Sequence, residues 1–591
     1  MPNTSRRTAR NNHAMKIAIA SAGILSAIGN NPQEVCTSLL NRQTGIGKTQ
    51  YLRTRHTDLP VGEVKLSNDQ MKAQLGLDPS QPVSRTTLMG ALAVRQAVDE
   101  SGLTLSGKRV VLICGTTVGG MDLTEEYYSQ LLTGEREIGL LKYHDCGNST
   151  DHIARILGIE CKTCTISTAC SSSLNSIILG AEMLRRNEAD IIIAGGSESL
   201  SRFHLNGFNT LMILDREQCR PFDATRAGLN LGEGAGFVVL VREQQCVHKP
   251  LGWIGGYCNS CDAFHQTASS ADGQGAYIAM NGALQMAGLK PSDIDYVNAH
   301  GTGTPNNDPS ESTALRRIFG ESLPPVSSTK SFTGHTTSAS GSIESIICLI
   351  AMQHRFIPAS LGFSQRDPDC IMPATGTQGV TLDNVLCNSF GFGGNDSSLV
   401  ISSQPVELHS TEKQFDCCIV ADEVIDNAEQ LKDYKDVISP LEARRMGKLQ
   451  KASTMTAMRA LSSAGVECPD AIITATKYGM LDTSIQFLDD MENNGESLLK
   501  PTLFMHSTHN TLGSAIAIRL KCHGYNTTYT QGDNSAEWAL RDARRLIENG
   551  QAETVLVGIH DEQCPLFATY HHLMQQNVMD IYSRSIILTR K

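Results

Sequence analysis

The stretch CTISTACSSSLNSIILGAEMLRR, residues 164–186, joins a β-branched run to a helical one and places Cys170 at the junction. After the junction, apolar residues recur at helical spacing: Leu174, Ile177, Ile178, Ala181 and Leu184. The unpaired N–H groups and partial positive charge of a helix N-terminus favour thiolate over thiol, so a cysteine there could be a nucleophile. A buried structural cysteine is the commoner case. The stretch alone leaves both interpretations open.

The rest of the chain alternates apolar, β-rich runs with helical ones. The runs typical of strands are VVLICGTT, ADIIIAGGSE, GAGFVVLV, DYVNAHGTG and SSLVIS. Between them, the runs typical of helices are TLMGALAVRQAVDESG, AYIAMNGALQMAGL and SIESIICLIAMQ. Continuous apolar strands separated by helices predict an α/β protein whose strands are buried on both faces.

The composition is that of a globular protein. Its 591 residues are 40% hydrophobic and 19% charged, and the net charge of −11 gives no reason to expect a nucleic-acid partner. Eighteen cysteines in so long a chain do not suggest a disulfide scaffold, and we interpret them as reduced thiols of a cytoplasmic protein. No apolar stretch is long enough to cross a bilayer. We interpret residues 1–14 as a disordered leader before a buried first strand.

Two CxxC pairs and one histidine pair could suggest zinc, but their settings argue against it. Cys161 and Cys164 lie in an apparent strand, where residues three apart face opposite sides and cannot grip one ion together. The second pair, Cys258 and Cys261, is too distant in sequence for a compact zinc ribbon. The histidine pair in HSTH, residues 506–509, has no carboxylate or third ligand beside it. We therefore predict no metal site.

Three small-residue segments carry the other candidates. His300 lies in NAHGTGTPNND at the end of a predicted strand, and His335 lies in STKSFTGHTTSASGS, which leads into a predicted helix. Loops at strand ends are where open α/β sheets build their sites. The third segment, CNSFGFGGND, precedes a strand, so it offers no helix N-terminus to a phosphate. Its glycines indicate instead a close approach of the backbone to a substrate.

The four segments TACSSSLN, NAHGTGTP, STKSFTGH and NSFGFGGN, in this order, resemble the β-ketoacyl–acyl carrier protein synthases of the type I/II class. The resemblance covers about residues 15–403. It implies a thiolase-like fold of two β-α-β-α-β-α-β-β halves, layered α/β/α/β/α, with the nucleophile in residues 15–255 and the histidines in residues 256–403. It also implies an acyltransferase that condenses malonyl carrier protein, with loss of CO₂, onto an acyl chain held on the enzyme.

The resemblance gives the motif residues their roles in this chemistry. Cys170 takes the acyl chain as a thioester. The backbone N–H groups of Cys170 and Phe392 form the oxyanion hole for the carbonyl of that thioester. His300 and His335 donate hydrogen bonds to the malonyl carbonyl and so stabilise the enolate that decarboxylation leaves.

Further residues match the family's pattern by the same resemblance. Lys330 and Glu344 form the supporting pair that orders the histidines and the charge around the site. Thr302 and Thr304 contact the phosphopantetheine arm or the malonyl carboxylate. Phe392 is also the gate that moves when the cysteine is acylated.

The resemblance implies no bound cofactor, because the substrates are carried on the phosphopantetheine of an acyl carrier protein. That carrier protein is the expected partner. Val118 and Met121 lie where the family lines its acyl pocket, but chain length, primer, saturation and pathway (fatty acid, polyene or polyketide) stay open. Basic residues that could dock the carrier are sparse and are left unassigned: Arg53, Arg55, Lys65, Lys72 and Arg202.

Beyond a polar linker at residues 404–414, the chain repeats itself. At an offset of 363 residues GQAETVLVGIHDE corresponds to NEADIIIAGGSE, and further upstream ATKYGMLD corresponds to GTTVGGMD after a small shift. The tail, residues 415–591, is therefore predicted to be a second copy of roughly the first half of the large domain. Asp533 takes the place of Cys170 in this copy. A carboxylate cannot form a thioester, so the tail is expected to be catalytically inactive.

The tail also resembles the half-sized, chain-length-factor-like proteins of aryl polyene and flexirubin-type pathways. Condensing enzymes of this family dimerise through the strand before the nucleophile, here KTCTIS, and the tail keeps a corresponding strand, NTTYT. We therefore expect the tail to act as a partner that shapes the acyl tunnel, in a homodimer or a pseudo-dimer. Whether it packs on its own chain or on a neighbour stays open. A degenerate duplication with only a structural role is the alternative.

Another class of enzyme fits part of the pattern. A thiolase-like acyltransferase that uses CoA could employ Cys387 as a second acid/base thiol. The pair of His300 and His335 argues against it by resemblance, because thiolases use a different set of cysteines and histidines. A chain that served only as a non-enzymatic chain-length partner would lack Cys170, which is present.

Overall fold

The computed structural model describes residues 15–408, 413–576 and 578–591. The predicted leader, residues 1–14, and residues 409–412 of the predicted linker lie outside the described residues. Within the described ranges, no helix has both the length and the apolar character needed to cross a membrane.

The strands described up to Ser402 are β1 (Ile17–Ser26), β2 (Ile46–Gly47), β3 (Val61–Gly62), β4 (Val110–Gly115), β5 (Lys162–Ile166), β6 (Ile191–Glu198), β7 (Gly234–Arg242), β8 (Gly252–Cys261), β9 (Tyr296–Asn298), β10 (Val326–Ser327), β11 (Phe356–Ile357), β12 (Thr377–Gln378), β13 (Asn384–Gly391) and β14 (Asn395–Ser402). The helices of the same part are α1 (Pro32–Leu40), α2 (Asn68–Leu75), α3 (Arg85–Ser101), α4 (Met121–Thr133), α5 (Cys146–Leu157), α6 (Ser172–Arg185), α7 (Arg202–Thr210), α8 (Gln274–Ala287), α9 (Asn307–Phe319), α10 (Lys330–Thr333) and α11 (Ser340–His354).

The tail has its own strands and helices. Its strands are β15 (Cys417–Ile425), β16 (Ala471–Ala475), β17 (Tyr525–Tyr529), β18 (Thr554–Glu562) and β19 (Ile581–Arg590). Its helices are α12 (Pro440–Ala443), α13 (Lys448–Ala464), α14 (Leu481–Asn494), α15 (Pro501–Met505), α16 (Thr511–Leu520), α17 (Ser535–Glu548) and α18 (Pro565–Leu573).

Fifteen of the described strands form one hydrogen-bonded sheet, in the order β10-β9-β13-β14-β8-β1-β7-β6-β4-β5-β17-β16-β18-β19-β15. Helix α3 packs on β1 and β7, α8 packs on β8 and β14, and α6 and α11 lie between the two parts of the sheet. Every residue of α6 is buried, as expected for a helix covered by strands on both sides. The predicted thiolase-like layering of α/β/α/β/α is thus confirmed.

The tail repeats the order of elements in the first half of the large domain. Strands β15 to β19 correspond in order to β1, β4, β5, β6 and β7, and α13 and α17 correspond to α3 and α6. The correspondence extends to helix ends, since α3 and α13 both stop at a glycine in the left-handed region, Gly102 and Gly465, at the offset of 363 residues. No strand equivalent to β8 pairs with β15 among the described residues.

The two copies meet through β5 and β17, which are the corresponding strands of the repeat. Ser167 N–H donates to the Thr528 carbonyl at 2.9 Å, and Thr530 N–H donates to the Thr165 carbonyl at 3.0 Å. The repeat relates the two bonds to each other. The donor Ser167 corresponds to the donor Thr530, and the acceptor Thr165 corresponds to the acceptor Thr528, each 363 residues apart. The tail therefore packs on its own chain about a pseudo-twofold axis, and buried residues of α6, α11 and α17 form one continuous core.

Candidate active site

The candidate nucleophile lies on a tight turn between a strand and a helix. Cys170 is the middle residue of a single 3-10 turn, Ala169–Ser171, which follows β5 and leads into α6. Ala169 has a φ of +53°, in a region that L-residues rarely adopt. Strained backbone of this kind is often found at functional sites. The turn holds the Cys170 side chain in the interior, where the residue is only 5% exposed.

The structure brings the two predicted histidines to this cysteine. His335 Nε2 lies 3.0 Å from Cys170 Sγ, and the His300 and His335 rings are nearly perpendicular with centroids 5.2 Å apart. The Cys170 sulfur and one ring nitrogen each of His300 and His335 all lie within 4.8 Å of one another. A thiol and two imidazoles are also ligands that zinc accepts, so among the residues that the structure describes this group could hold a metal ion.

A buried ion pair supports the histidines. Lys330 Nζ lies 2.5 Å from Glu344 Oε1 and 3.3 Å from His300 Nδ1, and Lys330 is 1% exposed. Because an ammonium group can only donate, His300 Nδ1 accepts and the proton of its neutral ring stays on Nε2. Burial, and then the charge of Lys330, hold the pKa of His300 well below its usual range. His300 is therefore a neutral hydrogen-bond donor.

Burial and the helix N-terminus act in opposite directions on the Cys170 thiol. Burial raises the pKa of Cys170 to about 12, although the charge of Lys330 and the backbone N–H groups of Phe392 and Cys170 act to lower it. Burial likewise lowers the pKa of His335. Desolvation thus outweighs the helix N-terminus, and the ground state pairs a neutral thiol with a neutral imidazole.

The glycine-rich segment after β13 approaches the turn that carries Cys170. A Cβ atom on Gly391 would lie 2.8 Å from the Thr168 carbonyl oxygen and 3.1 Å from the Cys170 nitrogen. The Ser389 hydroxyl donates to the Cys170 carbonyl at 2.9 Å. The absence of a side chain at Gly391 therefore lets the Phe392 backbone come close to the nucleophile.

Two chambers meet at Cys170, and Phe392 lies in the wall of both. The outer chamber, of about 250 Å³, contains both histidines, together with Thr302 and Thr304, whose hydroxyl oxygens are 2.9 Å apart. The inner chamber is a narrow cavity of about 40 Å³. The structure thus places both predicted threonines on the side of Cys170 that carries the histidines.

Both copies of the repeat line the inner chamber. Val118 and Met121, predicted from the resemblance, contribute with other ketosynthase residues, among them His144, Phe203, His204 and Phe208. The tail residues in the wall are Tyr478, Ser484, Phe504, Ser507, Thr508 and His509. Sequence reasoning missed the tail residues, although the repeat carried a signal for one. Tyr478 occupies in ATKYGMLD the position that Val118 occupies in GTTVGGMD.

Two other predicted positions lie away from this centre. Cys387 is fully buried, with its sulfur 3.8 Å from the Ser345 hydroxyl, and is absent from the described lining of both chambers. Asp533, the counterpart of Cys170, has a side chain 87% exposed and paired with Lys477 at 2.9 Å. All eighteen cysteines lie in the described residues and are free.

Together, the layered fold and the cluster of one cysteine and two histidines define a condensing enzyme of the thiolase-like class. Family models of the β-ketoacyl synthase N-terminal domain match residues 14–246 and again residues 421–590, and the C-terminal domain model matches residues 251–364. The chain therefore belongs to the β-ketoacyl synthase family. The tail is a second ketosynthase-like domain.

Curated relatives and solved structures agree with this assignment. The 3-oxoacyl-[acyl-carrier-protein] synthases 2 of Coxiella burnetii and Vibrio harveyi are 31% and 30% identical, over 66% and 65% of this chain and 98% of each enzyme. A chain of the complex between the ketosynthase ApeO and its chain length factor ApeC from Xenorhabdus doucetiae is 32% identical over 66% of this chain and 98% of that chain, with a TM-score of 0.56. The PfaC ketosynthase–chain length factor is 17% identical and shares the fold over 98% of this chain and 78% of its own, with a TM-score of 0.80.

Proposed function

We propose that the protein is a 3-oxoacyl-[acyl-carrier-protein] synthase, in which Cys170 carries the acyl chain and His300 and His335 stabilise the malonyl enolate. The observation that carries the proposal is the meeting of these three side chains within 4.8 Å at the junction of two chambers. The substrates are acyl and malonyl groups on the phosphopantetheine of an acyl carrier protein. Its curated relatives are named for this activity.

In the first half-reaction, the Cys170 sulfur attacks the acyl thioester of the carrier. His335 Nε2, 3.0 Å from the sulfur, takes the thiol proton, which then goes to the departing phosphopantetheine sulfur. The oxyanion of the tetrahedral intermediate accepts hydrogen bonds from the N–H groups of Cys170 and Phe392. Because burial raises the pKa of Cys170, a proton acceptor beside the sulfur favours the attack.

In the second half-reaction, malonyl carrier protein loses CO₂ and its electron pair forms an enolate. His300 presents Nε2–H to the enolate oxygen, because Lys330 occupies Nδ1. His335 can also present Nε2–H once Cys170 is acylated. In that tautomer Nδ1 must accept a hydrogen bond, and the Ser340 hydroxyl, 3.0 Å from Nδ1, can donate as well as accept. The enolate carbon attacks the Cys170 thioester, and the thiolate leaves and regains its proton.

We further propose that the tail acts as a chain-length partner. Its residues form part of the inner chamber, where an acyl chain on Cys170 would lie, and Asp533 gives it no nucleophile of its own. The solved relatives that pair a ketosynthase with a chain length factor support this role. A duplication with a purely structural role would have no need to line the chamber beside the nucleophile.

The test separates the two half-reactions. We expect Cys170→Ala to lose acyl transfer and condensation but to release CO₂ from malonyl carrier protein. We expect His300→Ala and His335→Ala to keep some acylation of Cys170 while losing decarboxylation. Intact-mass spectrometry of the enzyme and CO₂ release measure the two steps. Full condensation by Cys170→Ala would refute the mechanism.

A further inference from the structure

A buried asparagine of the tail contacts the peptide backbone beside the nucleophile. Asn510 is completely buried and precedes α16. Its Nδ2 donates one hydrogen bond to the Phe392 carbonyl at 2.9 Å and another to Asn395 Oδ1 at 2.7 Å. Both amide protons are therefore used on the ketosynthase loop that carries Phe392. The side-chain orientation is fixed, since the opposite orientation would place the Asn510 oxygen against the Phe392 carbonyl oxygen.

This contact belongs to a chain of amides that runs across the interface. Asn395 and Asn259 both donate to the Asn526 carbonyl of the tail, at 3.2 and 3.1 Å. Asn259 also donates to Asn175 Oδ1 at 3.0 Å, and Asn175 donates to the Thr168 hydroxyl at 2.9 Å. Thr168 lies two residues before Cys170. The tail is thus hydrogen-bonded, through buried side chains, to both segments that supply the oxyanion N–H groups.

Backbone hydrogen bonds hold the residues that follow Phe392: Gly393 N–H donates to the Gln266 carbonyl at 2.7 Å, and the Gly394 carbonyl accepts from Asp262 N–H at 2.8 Å. Phe392 is flanked by Gly391 and Gly393, and Gly393 has a φ of +82°. A Cβ atom at Gly393 would lie 2.1 Å from the Ser514 hydroxyl of the tail, so the tail lies directly behind the loop. Glycines offer no side chains for packing and leave the backbone many conformations. The contact from Asn510 adds a restraint at the Phe392 carbonyl itself, between the two glycines.

We propose that Asn510 is a positioning residue, through which the tail holds the Phe392 peptide in the geometry of the oxyanion hole. The inference rests on the proposed function, in which Phe392 N–H stabilises the oxyanion of acyl transfer. Asn510 touches no substrate. It anchors the Phe392–Gly393 peptide through its carbonyl, and so limits the rotation of the residue whose N–H must point at the reacting carbonyl. The tail would then contribute to catalysis as well as to chain length.

The two half-reactions should respond differently to loss of this contact. The oxyanion hole acts when Cys170 is acylated, whereas decarboxylation depends on His300 and His335. Removing an oxyanion donor outright costs roughly 100- to 1,000-fold in rate, so a displaced donor should cost about 10- to 100-fold. We therefore expect Asn510→Ala to slow acylation of Cys170 by that factor and to leave decarboxylation within about twofold of the unmodified enzyme. A residue with only a structural role would not change this ratio.

The experiment uses the full-length protein with three variants. Asn510→Asp keeps the shape but replaces the donor with an acceptor that faces the Phe392 carbonyl, so its acylation should be slower than that of Asn510→Ala. Asn549→Ala is the matched control, because Asn549 is another tail asparagine at the interface, bonded to Arg186 at 2.7 Å. Single-turnover acylation by an acyl carrier protein thioester is followed by intact mass, and CO₂ release from malonyl carrier protein is measured in parallel.

Three results would overturn the inference: unchanged acylation in both Asn510 variants, an equal loss of acylation and decarboxylation, or an equal loss in Asn549→Ala. A denaturation midpoint for each variant identifies a loss that reflects unfolding, and Asn510→Ala is the milder change if Asn510→Asp does not fold. Failure of the proposed function would look different, since the unmodified protein itself would then not be acylated on Cys170.

Discussion

The pairing of the two copies can be tested at the pseudo-twofold axis. Glu182 on α6 and Arg545 on α17 occupy corresponding positions in the repeat and meet across the interface, 3.4 Å apart. Both side chains are almost completely buried. Burial raises the pKa of Glu182, but the charges of Arg545 and Arg185 outweigh it and the net shift is downward. Two identical copies would place like residues opposite each other here, so the opposite charges favour the mixed pair.

The strength of this contact follows from the distance and the environment. At an effective dielectric constant of about 20, unit charges 3.4 Å apart attract by about 5 kcal/mol. Asp542, 2.7 Å from Arg545, and Arg185, 2.7 Å from Glu182, remain to compensate either charge when the other is removed. For pairs in direct contact within such a network, we expect a coupling free energy of roughly 2–3 kcal/mol.

A double-mutant cycle with Glu182→Gln and Arg545→Met measures that coupling. The chain has two tryptophans, and Trp538 lies at the interface, where its indole N–H donates to the Thr163 carbonyl at 3.1 Å. In a Trp253→Phe background, urea denaturation followed by Trp538 fluorescence reports on this region. Changes in the free energy of unfolding that add within about 0.5 kcal/mol would show that the two charges act independently, which contradicts this prediction.

Two further predictions concern the inner chamber and the buried ion pair. Ser484→Phe should fill part of the narrow inner chamber and shorten the products. Gln486→Phe, at an exposed position of the same helix, should leave product length unchanged. Equal product lengths in the two variants, measured by mass analysis of carrier-bound chains, would contradict the tail's role. Burial raises the pKa of Glu344 to about 7 even though Lys330 lowers it, while an unfolded glutamate titrates near 4.5. The folded state therefore holds this proton more tightly, and stability present below pH 4.5 is lost as the pH rises through 7, by about 3 kcal/mol. Glu344→Gln should remove that decline in urea titrations between pH 5 and 7.5, and an unchanged pH dependence would count against the assignment.

Residues whose surroundings are local in sequence were predictable. Cys170 at a strand–helix junction and the glycines of NSFGFGGN required only neighbouring residues to be interpreted. The α/β layering followed from the alternation of apolar strands and helices. The roles of His300 and His335 came from resemblance, and the structure contributes their distances and the tautomer that Lys330 imposes on His300.

The parts that sequence could not supply depend on contacts between distant segments. Phe504 and His509 lie more than 300 residues from Cys170, and no periodicity connects them to its chamber. Asn510 is one of many polar residues in its segment, and only the fold places it behind Phe392. The pKa of the Cys170 thiol also depends on burial by the whole domain, which the local sequence does not give.

Helices α6 and α17 differ in how they are covered, and the difference argues against a merely degraded copy. Helix α6 is buried throughout because strands cover it on both sides. Helix α17 has instead an exposed face that carries Glu537 and Arg544. The strands differ in the same way: within the described residues β15 pairs with β19 alone, whereas β1 pairs with both β7 and β8. A half that had only lost its covering elements would expose an apolar helix, at a cost of about 25 cal/mol for each Å² of apolar surface. Charged residues on that face make the tail stable without such a cover. What it presents to the other copy is the strand that pairs with β5, part of the wall of the inner chamber and the asparagine behind Phe392, so these features of the half all act on the other copy.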